Sequence, residues 1–162
     1  MSSIHDDKDK IIKALREEIS QLKGVINSVP GSIYWKNLKL KYLGRNKYAL
    51  EKSINVGLED SNADQDAILG KTDYDIFSHH IADQYHENDL EVIQHGKEIS
   101  REEVFSLNNS VRLVQLSQKR LLRDEAGHII GVVGNTVDIT DRKKMEEALR
   151  KPILSNKNSL PI

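Results

Sequence analysis

Cysteine is absent from the 162 residues. That removes disulfides, Cys-ligated zinc, iron–sulfur clusters and thiol nucleophiles together. Net charge is nearly absent too, with 24 Lys and Arg against 25 Asp and Glu for a formal −1. So balanced a chain has no global field for drawing a nucleic acid or an anionic membrane, and no nucleic-acid partner is expected. No apolar run reaches membrane-span length, and the opening MSSIHDDKDK lacks a signal-peptide h-region. The expectation is a cytoplasmic chain without direct membrane insertion. Catalytic motifs are missing as well: no P-loop, no G-x-S-x-G elbow, no H-E-x-x-H and no histidine-kinase phosphoacceptor motif. The chain is therefore expected not to be an enzyme. Aromatics make up only 5% and hydrophobic residues 38%, which at this length fits one small core with appended helices.

What is present begins with a heptad. Ile12, Leu15, Ile19, Leu22, Ile26 and Val29 recur at intervals of three and four, with Ile at each a position and Leu, Leu, Val at d. Isoleucine at a with leucine at d favours a parallel two-stranded coiled coil, so residues 1–29 predict a dimerising helix and a homodimer. Glu18 at g and Lys23 at the following e are placed to pair between chains. The same stripe also fits an amphipathic helix folded onto its own domain. Pro30-Gly31 stops it.

From Ser32 the texture changes. Ser32–Lys36 and Lys41–Leu43 read as strands around the turn Asn37-Leu38-Lys39, and Asn46 can cap a short helix through Leu50 or slightly beyond. Asn55–Asp66 has the composition of a loop. Ile81–Gly96 carries a helical apolar arc that includes Tyr85 and His86. Glu102–Leu107, Val111–Arg123 and His128–Thr140 are three strand runs, joined by the turn clusters 108–110 and 124–127. The order of strand pair, helices and three-strand meander predicts α+β with an antiparallel sheet. Thr140 then reads as the N-cap of a helix over 141–151, ended by Pro152, with 152–162 a disordered tail.

Four stretches resemble the PAS domain family of bacterial sensor proteins: NSVPGSIYWKN, YLGRNKYALE, ILGKTDYDIF and RDEAGHIIGVVGNTVDITDRKKMEEAL. The last is the most specific, a hairpin with Asp-Glu-x-Gly at its turn, then IIGVVG, then Asp138-Ile139-Thr140 before a charged helix. The resemblance spans roughly Val29 to Lys151, with the PAS domain proper placed at 30–140. It implies a five-stranded antiparallel sheet with helices packed on one face, plus N-terminal and C-terminal flanking helices. It implies a sensory or coupling module in a histidine kinase of the two-component type, relaying a change through Asp138, Ile139 and Thr140 to the exit helix. Binding would bias two arrangements of the sheet against helix Ile81–Gly96. A ligand-free dimerisation adaptor is the alternative. One departure is the segment Lys52–Ala67, longer and more polar than many family members carry there.

The same resemblance orders the possible chemistries. Flavin photochemistry through a Cys adduct is excluded, as is a thioester-linked chromophore. Non-covalent flavin stays open, and so does haem through His86 or His95, but no cofactor is required. The adjacent His79-His80 pair points in two directions and predicts no metal. An unknown small-molecule ligand is the favoured partner besides the effector domain. Its candidate pocket residues are Tyr34, Trp35, Tyr42, Tyr85, His86, Gln115, Ser117 and Asn135, with Ile81, Val104, Val133 and Val137 as further lining. Asp73 and Asp75 read as caps for backbone N–H groups.

Overall fold

The computed structural model describes residues 2–107 and 111–157. Helix α1 (Ser2–Ser28) leads into strands β1 (Ser32–Asn37) and β2 (Tyr42–Arg45), then α2 (Lys47–Asn55). Two short 3-10 turns, Gln65–Ile68 and Asp73–Asp75, precede α3 (His79–His95). Strands β3 (Ile99–Leu107), β4 (Val111–Arg123) and β5 (Ile129–Asp138) follow, and α4 (Thr140–Lys157) leaves the sheet. The five strands form one antiparallel sheet in the order β2-β1-β5-β4-β3. This is the α+β architecture expected, with helices at both ends.

Register fixes which side chains face the helices. Ser32, Tyr34 and Lys36 on β1 pair with Thr136, Gly134 and Val132 on β5. Those in turn pair with Ser117, Lys119 and Leu121 on β4. Alternation puts this whole set on one face, toward α2 and α3, and sends Trp35, Asn135, Val133 and Val137 to the other. Gly131 has a steric reason on β5: a Cβ there would overlap the Lys36 carbonyl oxygen. The glycines of GVVG thus let β1 approach β5 closely.

The apolar core is small. Val92, Ile99 and Val132 are buried together, with Ile93 and Leu121 packed against them. Gly96, at φ 64, ends α3 in the left-handed conformation that glycine adopts without a Cβ penalty. Much of the remaining interior is polar. Lys36, Asp73, Asp89, Lys119, Asn46 and Ser117 are all among the most completely buried side chains.

Several boundaries differ from the sequence expectation. Helix α2 runs to Asn55, so Lys52 is helical and not part of a polar loop, and a 3-10 turn occupies the end of the expected loop. The Asn46 cap is present, its side-chain oxygen accepting the Ala49 N–H. Strand β3 starts at Ile99. Pro152 does not end the last helix, which continues to Lys157, since proline costs a helix one ladder hydrogen bond without forbidding the turn. Residues 152–157 are therefore helix and not tail; the remainder of that tail and the 108–110 turn lie outside the described residues. Helix α1 stands away from the body, with Ile12 46% and Leu22 55% exposed. Leu15, Ile19 and Val29 are exposed and Ile26 half-buried, so the helix does not fold onto its own domain.

Candidate functional site

A cavity of ≈ 380 Å³ opens between the sheet and the helices. Tyr34 and Tyr42 come to it from β1 and β2, Gln115 and Leu113 from β4, and Ser32 and Thr136 from the paired ends of β1 and β5. Helix α2 gives Ala49, Lys52 and Ser53; Phe77 precedes α3, which adds Ile81 and Tyr85. Phe77 and Tyr85 stack edge to face at 5.1 Å, as do Tyr34 and Tyr42 at 5.7 Å. The three tyrosines stay protonated well above the ordinary phenol range. Burial is the main cause for each, followed by nearby carboxylates: Asp89 for Tyr34, Asp73 for Tyr42 and Glu103 for Tyr85. They offer hydroxyls, not phenolates.

Four of the expected pocket residues, Tyr34, Tyr42, Tyr85 and Gln115, therefore meet at one cavity, together with Ile81. The other four do not line it. Trp35 lies on the opposite face of the sheet, its ring covering Gly44. Asn135 shares that face, and its buried Nδ2 has no hydrogen-bond partner. Ser117 is on the correct face but sits buried behind the cavity, with its Oγ unpartnered. His86 packs against Tyr74 at 5.7 Å between ring centres, which removes it from the position a haem ligand in this cavity would need. Val104 is 48% exposed, and Val133 and Val137 are on the far face, so none of the three is lining. Among the described residues no group of three or more His, Cys, Asp or Glu could hold a metal ion.

Behind the aromatic wall lies a cluster of charges that sequence reasoning missed. Lys36 Nζ bonds Asp73 Oδ2 at 2.5 Å and Asp89 Oδ2 at 2.6 Å. Lys119 Nζ bonds Asp89 Oδ1 at 2.5 Å and the Tyr85 carbonyl at 3.0 Å. Tyr42 donates its hydroxyl to Asp73 Oδ1 at 2.7 Å. Asp73 is thus an ion-pair partner and not a cap, whereas Asp75 does cap, accepting the Thr72 N–H at 2.7 Å. The four side chains are 0–2% exposed and neutral as a set, and they tie α3 to β1, β4 and the turn at Asp73. Burial pulls Lys119 below the ordinary lysine range, against the pull of Asp89. Burial likewise raises Glu103, whose Oε1 accepts from Asn88 while Oε2 has no partner.

At the other end of the cavity, Lys52 reaches the junction. Its Nζ bonds Asp138 Oδ2 at 2.8 Å, and Asp138 Oδ1 accepts the Thr140 N–H at 3.0 Å. Burial opposes ionisation of Asp138, but the hydrogen bonds from Lys52 and Thr140 win and hold it at about 2. Thr140 was expected to cap α4; instead its hydroxyl oxygen accepts the Val114 N–H at 2.9 Å, and Asp138 does the capping. The Ile139 N–H closes the junction on the Val114 carbonyl at 2.8 Å.

The family profile described as PAS fold matches residues 28–144. The chain belongs to the PAS fold family. A diguanylate cyclase of Vibrio cholerae serotype O1 is 29% identical over 138 residues, 84% of this chain. The chain spans 40% of that relative's length. VqmA of Vibrio cholerae, solved with ligand and DNA, is similar in fold, with a TM-score of 0.61 and 22% identity over 77% of this chain and 51% of its own. The PAS domain of Bordetella pertussis BvgS aligns with a TM-score of 0.58 and 20% identity, over 86% of this chain and 98% of its own. This PAS sensory domain has as many polar or charged side chains as hydrophobic ones among the buried residues described. No helix among its described residues is long and apolar enough to cross a membrane.

Proposed function

We propose that this PAS domain is the ligand-sensing unit of a regulatory protein and has no catalytic role of its own. One observation carries the reading: a cavity walled by Tyr34, Tyr42, Phe77 and Tyr85 also touches Lys52, the residue that pairs with Asp138 at the root of α4. A small molecule in the cavity then acts on the exit helix through one side chain. Such a switch works only if the molecule binds one arrangement of that junction better than the other.

Two copies would join along α1, where Ile12, Leu15, Ile19, Leu22 and Val29 of the stripe stand exposed. The effector continues from α4. A histidine kinase core fits the sequence expectation, but the diguanylate cyclase relative favours a cyclase as the attached output. VqmA was solved bound to DNA, so a DNA-binding output also belongs among the candidates, while the balanced charge of this chain argues against DNA contact by the chain itself. A cytoplasmic location accords with these outputs.

Native mass spectrometry of the purified chain tests this, before and after incubation with a pool of small neutral and charged molecules. A dimer that gains one small-molecule mass per protomer supports the reading. A dimer that takes up nothing supports the adaptor instead.

A further inference from the structure

Among the described residues the cavity's lining holds two cations, Arg45 and Lys52, and neither an Asp nor a Glu. The two cations are not equivalent. Both terminal nitrogens of Arg45 are taken by Glu59, and one also donates to the Asp64 carbonyl at 2.9 Å. Its charge is therefore already matched, though its buried Nε remains without an acceptor. Among the described residues Lys52 has one acceptor, Asp138, and that pair is about a quarter exposed, with side chains at 27% and 28%. An ammonium carries three donors, so Lys52 can turn toward the cavity without leaving a buried charge stranded. The walls around it are mostly rings and aliphatic chains, with Ser32, Gln115 and Thr136 as neutral polar groups on the sheet side and Ser53 and Ser78 on the helix side.

Resting on the sensory reading above, we propose that the cavity is built for a small aryl or alkyl carboxylate, which takes Lys52 from Asp138 when it binds. The apolar body lies among Tyr34, Phe77, Ile81 and Tyr85, and the anionic group meets Lys52 and the free Arg45 N–H. A monoanion is specified because only one lining cation can be exchanged. A phosphate dianion would need a second, and Arg45 is held by Glu59. Binding and the ion pair with Asp138 then compete for one ammonium. Once Lys52 is drawn off, Asp138 keeps Thr140 as a donor but loses its countercharge, which loosens the start of α4. Competition of this kind is reciprocal, so whatever weakens the Lys52–Asp138 pair strengthens carboxylate binding, by at most the same factor.

The test is calorimetric titration of the full chain with 3-phenylpropanoate and its neutral analogue 3-phenylpropanamide. The acid is expected to bind about tenfold more tightly, as one charge-assisted hydrogen bond allows. Lys52→Met should erase that preference, with an unaltered far-UV circular dichroism spectrum showing that the variant is folded. Asp138→Asn should tighten the acid severalfold and leave the amide as it was. Equal binding of acid and amide, a preference that survives Lys52→Met, or no gain with Asp138→Asn would each overturn the proposal. So would failure of the acid to bind at all. In every such case, uptake of a neutral molecule in the native mass spectrum leaves the sensory reading standing, and only absence of any uptake removes both.

Discussion

Asp89→Asn isolates the buried charge cluster with almost no change in shape. Asp89 is fully buried and holds Lys36 at 2.6 Å and Lys119 at 2.5 Å. At an effective dielectric of about 20, each contact at that separation is worth roughly 6 kcal/mol of gross attraction. That attraction offsets a desolvation cost of several kcal/mol per ion, so the intact cluster contributes little net stability. Breaking it is different. With an amide at position 89, Lys36 keeps Asp73 while buried Lys119 keeps the Tyr85 carbonyl but loses its carboxylate, and the expected loss is about 3–5 kcal/mol. For a chain of this size that corresponds to roughly 10–15 °C in melting temperature. Lys119 has an escape, because burial already draws its proton affinity down. Without Asp89 it would lose its proton in the folded state well before it does in the unfolded chain. The unfolded state then binds more protons, so the variant's stability should climb as pH rises toward the ordinary lysine range. Urea denaturation followed by circular dichroism, across a pH series, reads both effects. A loss below about 1 kcal/mol would refute the reasoning, since it would mean that water reaches these charges. Replacing all four together, Lys36→Met, Asp73→Leu, Asp89→Leu and Lys119→Met, should instead keep stability within about 2 kcal/mol of the parent.

Lys52→Met should destabilise the fold by about 1 kcal/mol near neutral pH, since solvent screens the partly exposed Lys52–Asp138 pair. Because Asp138 sits at about 2 in the folded chain against 3.8 ordinarily, that deficit should shrink as pH falls through this window, and a deficit constant with pH would refute the assignment. Glu103→Gln should stabilise the chain more at about pH 8 than at about pH 4, since burial raises the Glu103 carboxyl and ionising it costs stability above that point; thermal melts at the two values decide it. Gly131→Ala should cost about 1–3 kcal/mol in denaturant titration, because the added methyl meets the Lys36 backbone, which cannot rotate away. Ile19→Glu with Leu22→Glu should give a monomer by sedimentation while leaving the melting of the sheet domain unchanged. A persistent dimer would place the interface elsewhere.

The strands were legible because apolar residues alternate along them, and α1 because its heptad is regular. The aromatic half of the cavity was legible for a related reason. Tyr34, Tyr42 and Tyr85 are the large side chains that a helix-on-sheet fold must bury. What alternation does not reveal is which face of a strand is the inside. In Ile33-Tyr34-Trp35-Lys36 the tryptophan suggests one face, whereas the structure buries the other, lysine included. The signal for the charge cluster was present on α3. Ala82, Tyr85, Asp89 and Val92 follow the three-four-three spacing of a core stripe, and an acid at a core position demands a buried cation. Lys52 was hidden by composition. Its neighbours are polar, so the end of α2 read as loop, and a pair joining positions 52 and 138 leaves no local trace.

The chain's one tryptophan is on the side of the sheet away from the cavity, its ring resting on Gly44 and its strand partner on β5 being Val133. Its fluorescence is therefore blind to direct contact with a molecule among the tyrosines. An intensity change when a ligand is added would report that the far side of the sheet has rearranged, and so would register output and not occupancy. Excited at the red edge of the spectrum, where tyrosine does not absorb, Trp35 alone therefore reports that later stage of signalling without any label.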